Sequence, residues 1–427
     1  MSAFILNRDL WKNIEEPTEK LRFLLIVLLV FSLPFNIFYS SVLLITLLVL
    51  TLLDLSKEKL GQIPRQVWLF QMIYFLGIAG YFYSNHKNAA AFLLERQLSI
   101  LLLPLMLPIA IRINWQKAEA LIITLVVSCC VSVCYLLLHM LYTIITGLEL
   151  PLVSTVFLGV FFNHQFSMPI GIHAGYLSLY ISFSIFYLAR EYNQKNRTFR
   201  QKMSMVMMLL LLFTGLFLLA SRNSILATFF VLIFVSPLYN SKNKLKYILV
   251  CLICLITGFV IVKSTPYLRN RFSIQLLTDI KPLANGDFIE YGSAEPRYER
   301  WKGAFQLVKH SPVFGYGTGD EIEMLRTEYI KRGLYISYLE RFNAHNQYLS
   351  YLIKNGIPGL CIFLFAFYYY TKLAVKKKNF IYLSFLVLLL IGFYTENILD
   401  ANKGILFFSI FNTILGYAAL TDPQTVD

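Results

Sequence analysis

The sequence predicts an all-α polytopic membrane protein with about twelve transmembrane helices and one large helical loop between the ninth and tenth. Two observations predict this fold class. The 427 residues are 57% hydrophobic with a mean hydropathy of +0.61, and apolar runs of membrane-spanning length recur from Leu21 to Leu420. The runs are continuous rather than alternating, and a backbone inside hydrocarbon must satisfy its own hydrogen bonds, so helices are expected.

The apolar runs place the predicted spans at twelve positions. These lie near residues 22–38, 39–55, 66–84, 98–112, 119–141, 174–190, 203–220, 223–240, 247–264, 347–373, 379–395 and 403–420. The chain therefore divides into three regions. Residues 1–264 hold nine spans, residues 265–346 form the large loop with amphipathic helices, and residues 347–427 hold three spans and a short cytoplasmic tail.

Two stretches depart from the simple spanning pattern. Residues 142–173 are apolar but irregular, which predicts a re-entrant or interfacial piece on the outer face. In the large loop, the spacing within 294–311 predicts a helix with Trp301, Phe305 and Val308 on one face. Asp320 is expected to cap a second helix there, which ends near residue 332.

The distribution of basic residues fixes the predicted orientation. Of the 38 lysines and arginines, 21 lie on the side that holds the N-terminus and four lie in short loops on the other side. Short loops rich in lysine and arginine stay in the cytoplasm, so the large loop faces outward. The net charge of +14 therefore reports membrane topology, and we expect no nucleic-acid partner.

Arginines at the outer ends of spans are candidates for binding an anion, because ionisable groups at membrane depth are costly and usually functional. Arg222 lies in 220-ASRNS-224, between two apolar runs. Its guanidinium is a planar fork that pairs with phosphate, although a snorkelled arginine at a helical hairpin is the alternative. Arg297 and Arg300 begin the amphipathic helix, where a solvated basic face is the alternative.

His345 stands where an outward loop enters the tenth span, in 345-HNQYL-349. A neutral imidazole at this interface can accept a proton from a hydroxyl group, although a buried structural histidine is the alternative. The neighbouring Asn343 and Asn346 are candidates for fixing the imidazole tautomer or holding a hydroxyl-rich ligand.

Several motifs together resemble the O-antigen ligase family, which includes related O-antigen polymerases and protein-directed oligosaccharide ligases. They are 220-ASRNS-224, the R-x-x-x-W of Arg297–Trp301 with 312-PVFGYG-317 after it, and 345-HNQYL-349. The resemblance covers about 203–420. In addition, 173-HAGYLSLY-180 is similar to a histidine–tyrosine opening in some members, with Ala174-Gly175 where they carry proline. Glu396-Asn397 with Lys403-Gly404 resembles the last hairpin of the family.

The resemblance implies metal-independent and cofactor-free glycosyl transfer at the periplasmic face of a bacterial inner membrane. The donor would be a glycan on undecaprenyl diphosphate. Arg222 and Arg297 would bind its diphosphate, and the protein would also contact membrane lipids. His345 would be the catalytic base. Further candidates for substrate contact are Arg300, Asn346, Tyr348, His173, Tyr176, Arg96 and Glu396.

Four functions remain open at this point. The first is a ligase that moves a completed O-antigen to a lipid A-core sugar hydroxyl, with inversion at the donor anomeric carbon. The second is an O-antigen or exopolysaccharide polymerase that uses the same donor and another lipid-linked glycan as acceptor. The third is a transporter or flippase for a lipid-linked glycan, which is expected to show paired halves and polar residues near the midplane. The fourth is a structural membrane component.

Overall fold

A computed structural model describes residues 11, 14, 16–61, 63–147, 161–194, 196–239, 244–280 and 295–421. Every regular element in these ranges is helical, so the predicted all-α class is confirmed for them. The longer helices are α1 (Pro17–Ser32), α2 (Ile37–Leu52), α3 (Trp68–Tyr83), α4 (Lys87–Ala110), α5 (Trp115–Thr146), α6 (Ala174–Tyr192), α7 (Phe199–Leu218), α8 (Arg222–Tyr239), α9 (Lys244–Ser264), α10 (266–280), α11 (Arg297–His310), α12 (Glu321–Lys331), α13 (Tyr335–Leu339), α14 (Gln347–Lys376), α15 (Phe380–Gly392) and α16 (Asn402–Thr421).

A helix lies at each of the twelve predicted span positions. By length and composition, six of the described helices can cross a membrane: α4, α5, α7, α8, α14 and α16. The number rises to seven if the short helix at Asn163–Ile170 and α6 form one span, bent by 84°. This bend agrees with the predicted irregular piece at 142–173, although residues 148–160 lie outside the described ranges. The total of twelve spans stays a prediction.

The helix ends carry the local signals that the sequence contains. Thr198 and Gln201 form a reciprocal capping box at the start of α7. The side chain of Asn114 accepts a hydrogen bond from the backbone N–H of Lys117 at the start of α5, and Gly147 ends that helix in the left-handed conformation. These caps explain why long apolar stretches begin and end as separate helices.

The transmembrane bundle is organised around its last helix. α16 has 89% of its most apolar stretch buried, and it packs against α4 and α14. Elsewhere in the bundle, large apolar side chains such as Phe82 and Ile145 are exposed. An apolar exterior over a packed interior suits a bundle whose outer surface faces lipid.

The loop helices form a second, smaller core above the bundle. Ala304 and Leu307 of α11 pack with Leu325 of α12 and with Leu349 and Ile353 of α14. The predicted helix 294–311 is thus confirmed as α11. On the predicted apolar face, Trp301 and Val308 pack against this core, whereas Phe305 is 51% exposed and the small residues beside it are buried. Close approach of α12 favours Ala304 over a phenylalanine at the contact.

Asp320 attaches the loop to the bundle. Asp320 occupies the predicted N-cap position of α12, but its side chain makes no cap hydrogen bond. Its buried carboxylate instead accepts hydrogen bonds from Ser84 Oγ (3.1 Å) and from the backbone N–H groups of Asn85 (2.7 Å) and His86 (2.9 Å), and it contacts His86 Nδ1. Burial opposes ionisation, but these bonds prevail and lower the pKa of Asp320.

This attachment requires glycine beside Asp320. A Cβ atom at Gly319 would lie 2.2 Å from the carbonyl oxygen of His86. Thr318, which precedes Gly319, donates from Oγ1 to the carbonyl of Gly77 at 2.8 Å. The 315–320 turn is therefore a docking element for the α3–α4 hairpin.

We predict that Asp320→Asn lowers the free energy of unfolding by about 1–3 kcal/mol at neutral pH, since it breaks charge-assisted bonds. The pKa of Asp320 is depressed in the folded protein, so its contribution to stability is full above the ordinary aspartate pKa of about 3.9 and is lost as the pH falls below it. Thermal unfolding in detergent measures this effect. Glu340→Gln, at an exposed carboxylate, is the control, and equal stability of both variants would contradict the prediction.

Candidate active site

His345 occupies a tight corner between the loop and α14. Its backbone has a φ of 45°, and its N–H donates to Asn343 Oδ1 at 2.9 Å. Asn346 follows and caps α14, because its Oδ1 accepts from the N–H groups of Tyr348 (3.0 Å) and Leu349 (3.1 Å). The left-handed corner separates the imidazole from the helix and presents it at the helix entrance.

A single carboxylate joins His345 to an arginine of the loop. Glu396 lies in the short connection between α15 and α16, and its Oε2 is 3.4 Å from His345 Nδ1. Its other oxygen, Oε1, is 3.6 Å from Nη2 of Arg297 at the start of α11. All three side chains are only 26–29% exposed. Three separate parts of the chain thus meet at Glu396.

The surrounding charges keep Glu396 ionised. Burial opposes ionisation, but the hydrogen bond with His345 and the electrostatic interactions with His345, Arg297 and His173 prevail and lower the pKa of Glu396 to about 2. An ionised carboxylate only accepts hydrogen bonds, so we assign the imidazole proton to Nδ1. The lone pair of His345 Nε2 then points away from Glu396, and Nε2 makes no hydrogen bond to the described residues.

The three candidate arginines differ in how their charge is balanced. Arg222 forms an ion pair with Asp279 of α10, and Arg297 shares Glu396 with His345. Arg300 is only 4% exposed, its guanidinium lies 5.3 Å from the ring centroid of Phe342, and no hydrogen bond or carboxylate partner within the described chain balances it.

The electrostatic setting of Arg300 agrees with this geometry. Burial lowers the pKa of Arg300 and the nearby Arg297 lowers it further, while Tyr329, Asp279 and Glu295 act in the opposite direction. A buried guanidinium without a paired anion is unfavourable. Arg300 therefore has hydrogen-bond donors to offer to an incoming anion.

Two further candidates lie beside this cluster. His173 is close enough to Glu396 to lower the pKa of that carboxyl, and its ring lies 5.6 Å from the ring of Tyr176. The His173 ring is also 4.0 Å from that of His164, and its Nδ1 accepts from the N–H of Gly175 at the start of α6. The start of α6 thus forms one wall of the cluster.

The other candidates have structural contacts instead. Asn346 is buried and caps α14, and the Tyr348 hydroxyl donates to the carbonyl of Leu390 at 2.7 Å. Arg96 is exposed, and its described contact is with Phe92 of its own helix, at 4.1 Å. Contact of these three residues with a substrate stays a prediction.

The structure also shows contacts around the site that the sequence did not predict. Asp279 balances Arg222, and Phe342 lies on Arg300 and 5.6 Å from the His345 ring. Trp301 donates from Nε1 to the carbonyl of Ala344 at 3.0 Å, so the R-x-x-x-W motif holds the backbone just before His345. The structure thus places the His345 imidazole and the Arg297 guanidinium on opposite oxygens of one carboxylate, Glu396.

Comparison with known proteins identifies the central part of the chain. Residues 207–364 match the family described as O-antigen ligase, which confirms the resemblance noted in the sequence. The match includes Arg222, Arg297, Arg300 and His345. An uncharacterized protein of Haemophilus influenzae is 25% identical over 139 residues, which are 30% of this chain. The aligned part spans only 33% of that relative's length.

We predict that Glu396 makes folding stability depend on pH. Its pKa of about 2 in the folded protein lies below the ordinary glutamate pKa of about 4.3, so its contribution to stability is full above that ordinary pKa and is lost as the pH falls toward 2. The free energy of unfolding of the wild type should fall by roughly 1–3 kcal/mol over this pH range. Thermal unfolding in detergent at several pH values measures it, with Glu396→Gln as the variant that should lack this component. An identical pH dependence in both proteins would refute the assignment.

Proposed function

We propose that this chain is a membrane glycosyltransferase that joins a glycan from undecaprenyl diphosphate to a lipid A-core sugar hydroxyl, because its residues 207–364 match the O-antigen ligase family. The proposed site faces the periplasm at the inner membrane. The observation that carries this proposal is the meeting of His345 and Arg297 on Glu396. The same carboxylate places a proton acceptor beside a fixed positive charge.

The geometry supports a one-step displacement at the donor sugar. The acceptor hydroxyl oxygen attacks the anomeric carbon while His345 Nε2 takes the hydroxyl proton. The bond from the anomeric carbon to the diphosphate oxygen breaks, and its electron pair leaves with the diphosphate. Glu396 stabilises the imidazolium that forms, because it accepts the hydrogen bond from Nδ1. Attack from the face opposite the leaving group inverts the anomeric carbon.

The leaving diphosphate gains negative charge in this step, so fixed cations near it lower the barrier. Arg297 has five N–H donors, and its contact with Glu396 occupies only one side of the guanidinium. Arg300 adds a buried guanidinium without a carboxylate partner. We therefore add Arg300 to Arg222 and Arg297 as a donor-binding residue. In this proposal, the ion pair with Asp279 neutralises the charge of Arg222 until the donor binds.

The depth of the site also fits a lipid donor. A prenyl chain remains in hydrocarbon, so its diphosphate reaches only the membrane interface, where a water-soluble acceptor glycan meets it. His345 lies at the entrance of the long apolar helix α14, which satisfies this requirement. The proposed reaction needs no nucleotide, because the diphosphate linkage of the donor already provides an activated leaving group.

We predict that His345→Gln lowers turnover by about 10²–10⁴-fold, the usual contribution of a positioned proton acceptor, with little change in donor binding. The assay uses purified protein in lipid, an undecaprenyl-diphosphate glycan, and either lipid A-core or a second lipid-linked glycan as acceptor. Efficient transfer to the second acceptor alone would identify a polymerase. His310→Gln, at an exposed histidine of α11, is the matched control. Near-normal turnover of His345→Gln would refute the base assignment.

We further predict that Arg300→Met weakens donor binding by roughly 10–100-fold, as expected for the loss of charged hydrogen bonds worth about 1.5–3 kcal/mol. Binding of undecaprenyl diphosphate to the purified protein measures this effect. Arg326→Met is the matched control, because Arg326 also lies on an aromatic ring, that of Tyr338, but has a carboxylate partner in Glu323. Equal binding by both variants would exclude Arg300 from the donor site.

A further inference from the structure

A buried charged network lies directly below the site, around Lys354 of α14. The Lys354 side chain is almost fully buried, and its Nζ is 2.8 Å from Asp400 Oδ2 and 3.0 Å from Glu321 Oε2. Ser350, one turn earlier on α14, donates from Oγ to the same Glu321 oxygen at 2.6 Å. Lys354 therefore ties the first residue of α12 to the short 3₁₀ turn that precedes α16.

This network reaches the site through one amide side chain. Asp400 Oδ2 also accepts from Asn397 Nδ2 at 3.0 Å. The other end of that amide, Asn397 Oδ1, accepts from the backbone N–H of Asn346 at 2.8 Å. Asn397 directly follows Glu396 and Asn346 directly follows His345. The Asn397 amide therefore bridges the two chain segments that carry the paired carboxylate and imidazole.

Stability alone does not explain this network. It buries two carboxylates against one ammonium group, and Glu321 Oε1, a buried atom of the network, has no hydrogen-bond partner in the described structure. Buried ion pairs are often no more stabilising than well-packed apolar side chains of similar volume. What the network does provide is a fixed geometry between the α15–α16 connection and the start of α14.

We propose that Lys354 is a positioning residue for glycan transfer, which acts through Asp400 and Asn397 to hold Glu396 against His345. This inference rests on the proposed function for its effect on rate, and on the hydrogen bonds alone for its effect on structure. Lys354 touches neither the substrate nor the reacting atoms. Its loss should therefore reduce turnover and leave donor binding unchanged.

The first test is kinetic and uses the full-length protein in lipid. Lys354→Met should reduce turnover about tenfold or more at saturating donor, with the donor KM unchanged within about twofold, and Lys354→Arg should restore part of the rate. In a Glu396→Gln background, Lys354→Met should add little further loss, because both changes release His345 from Glu396. Asp400→Asn preserves side-chain volume and leaves Lys354 paired with Glu321, so it tests the same link if Lys354→Met folds poorly.

Lys117→Met is the matched control. Lys117 is a buried lysine in an ion pair with Glu19, at 2.6 Å, and it lies at the start of α5. This variant should lose stability with normal turnover, and its effect should add to that of Glu396→Gln. If Lys354→Met behaves like Lys117→Met, or lowers turnover additively with Glu396→Gln, the positioning role is refuted.

The second test does not depend on the proposed function. Hydrogen exchange followed by mass spectrometry should show faster exchange of the Asn346 amide region in Lys354→Met and Asp400→Asn, and unchanged exchange there in Lys117→Met. Unchanged protection near Asn346 in the Lys354 and Asp400 variants would overturn the inference. A wild-type protein that transfers no glycan, with the exchange result as expected, would refute the proposed function and leave the positioning network established.

Discussion

The candidate site depends on one carboxylate, Glu396, shared between an imidazole and a guanidinium. A partly buried carboxylate between an imidazole and a guanidinium is favourable only when both partners hold positions near it, since its own desolvation is costly. The partners come from the start of α11 and the entrance of α14, whereas Glu396 lies between α15 and α16. The loop and the bundle must therefore be fixed relative to each other before the site exists.

Three attachments meet this requirement. The small apolar core of α11 and α12 closes on the first turns of α14, around Leu349 and Ile353. Asp320 fastens the 315–320 turn to the α3–α4 hairpin through backbone N–H groups. Lys354 and Asp400 join α12 and α14 to the turn before α16. The loop is therefore held to the bundle at three separate places.

Much of the fold was predictable because its signals are local. Apolar runs placed all twelve helices, and the polar motif at 345–347 placed His345 just before α14. The periodicity of 294–311 predicted the helix α11. It did not predict that Phe305 would be 51% exposed while its neighbour Ala304 is buried beside α12. The role of Asp320 was also missed, since its partners lie more than 230 residues away.

The site itself was predictable only in part for the same reason. The resemblance made His345, Arg222 and Arg297 candidates, but no local pattern indicates that Glu396, 51 residues after His345, contacts it. Nor does the sequence show that Asp279 balances Arg222 while Arg300 has no carboxylate partner in the described structure. Such pairings are properties of the tertiary arrangement, and one sequence does not encode them in any short motif.

The central claim is that His345 and Glu396 work as one unit, and a double-mutant cycle on glycan turnover tests it most directly. The cycle compares the wild type, His345→Gln, Glu396→Gln and the double variant, in lipid, at saturating donor and acceptor. If the two residues do work as one unit, Glu396→Gln should lower turnover in the wild-type background and should cause almost no further decrease in the His345→Gln background. Fully additive losses, with all four proteins folded, would show that the two residues act independently and would contradict the account.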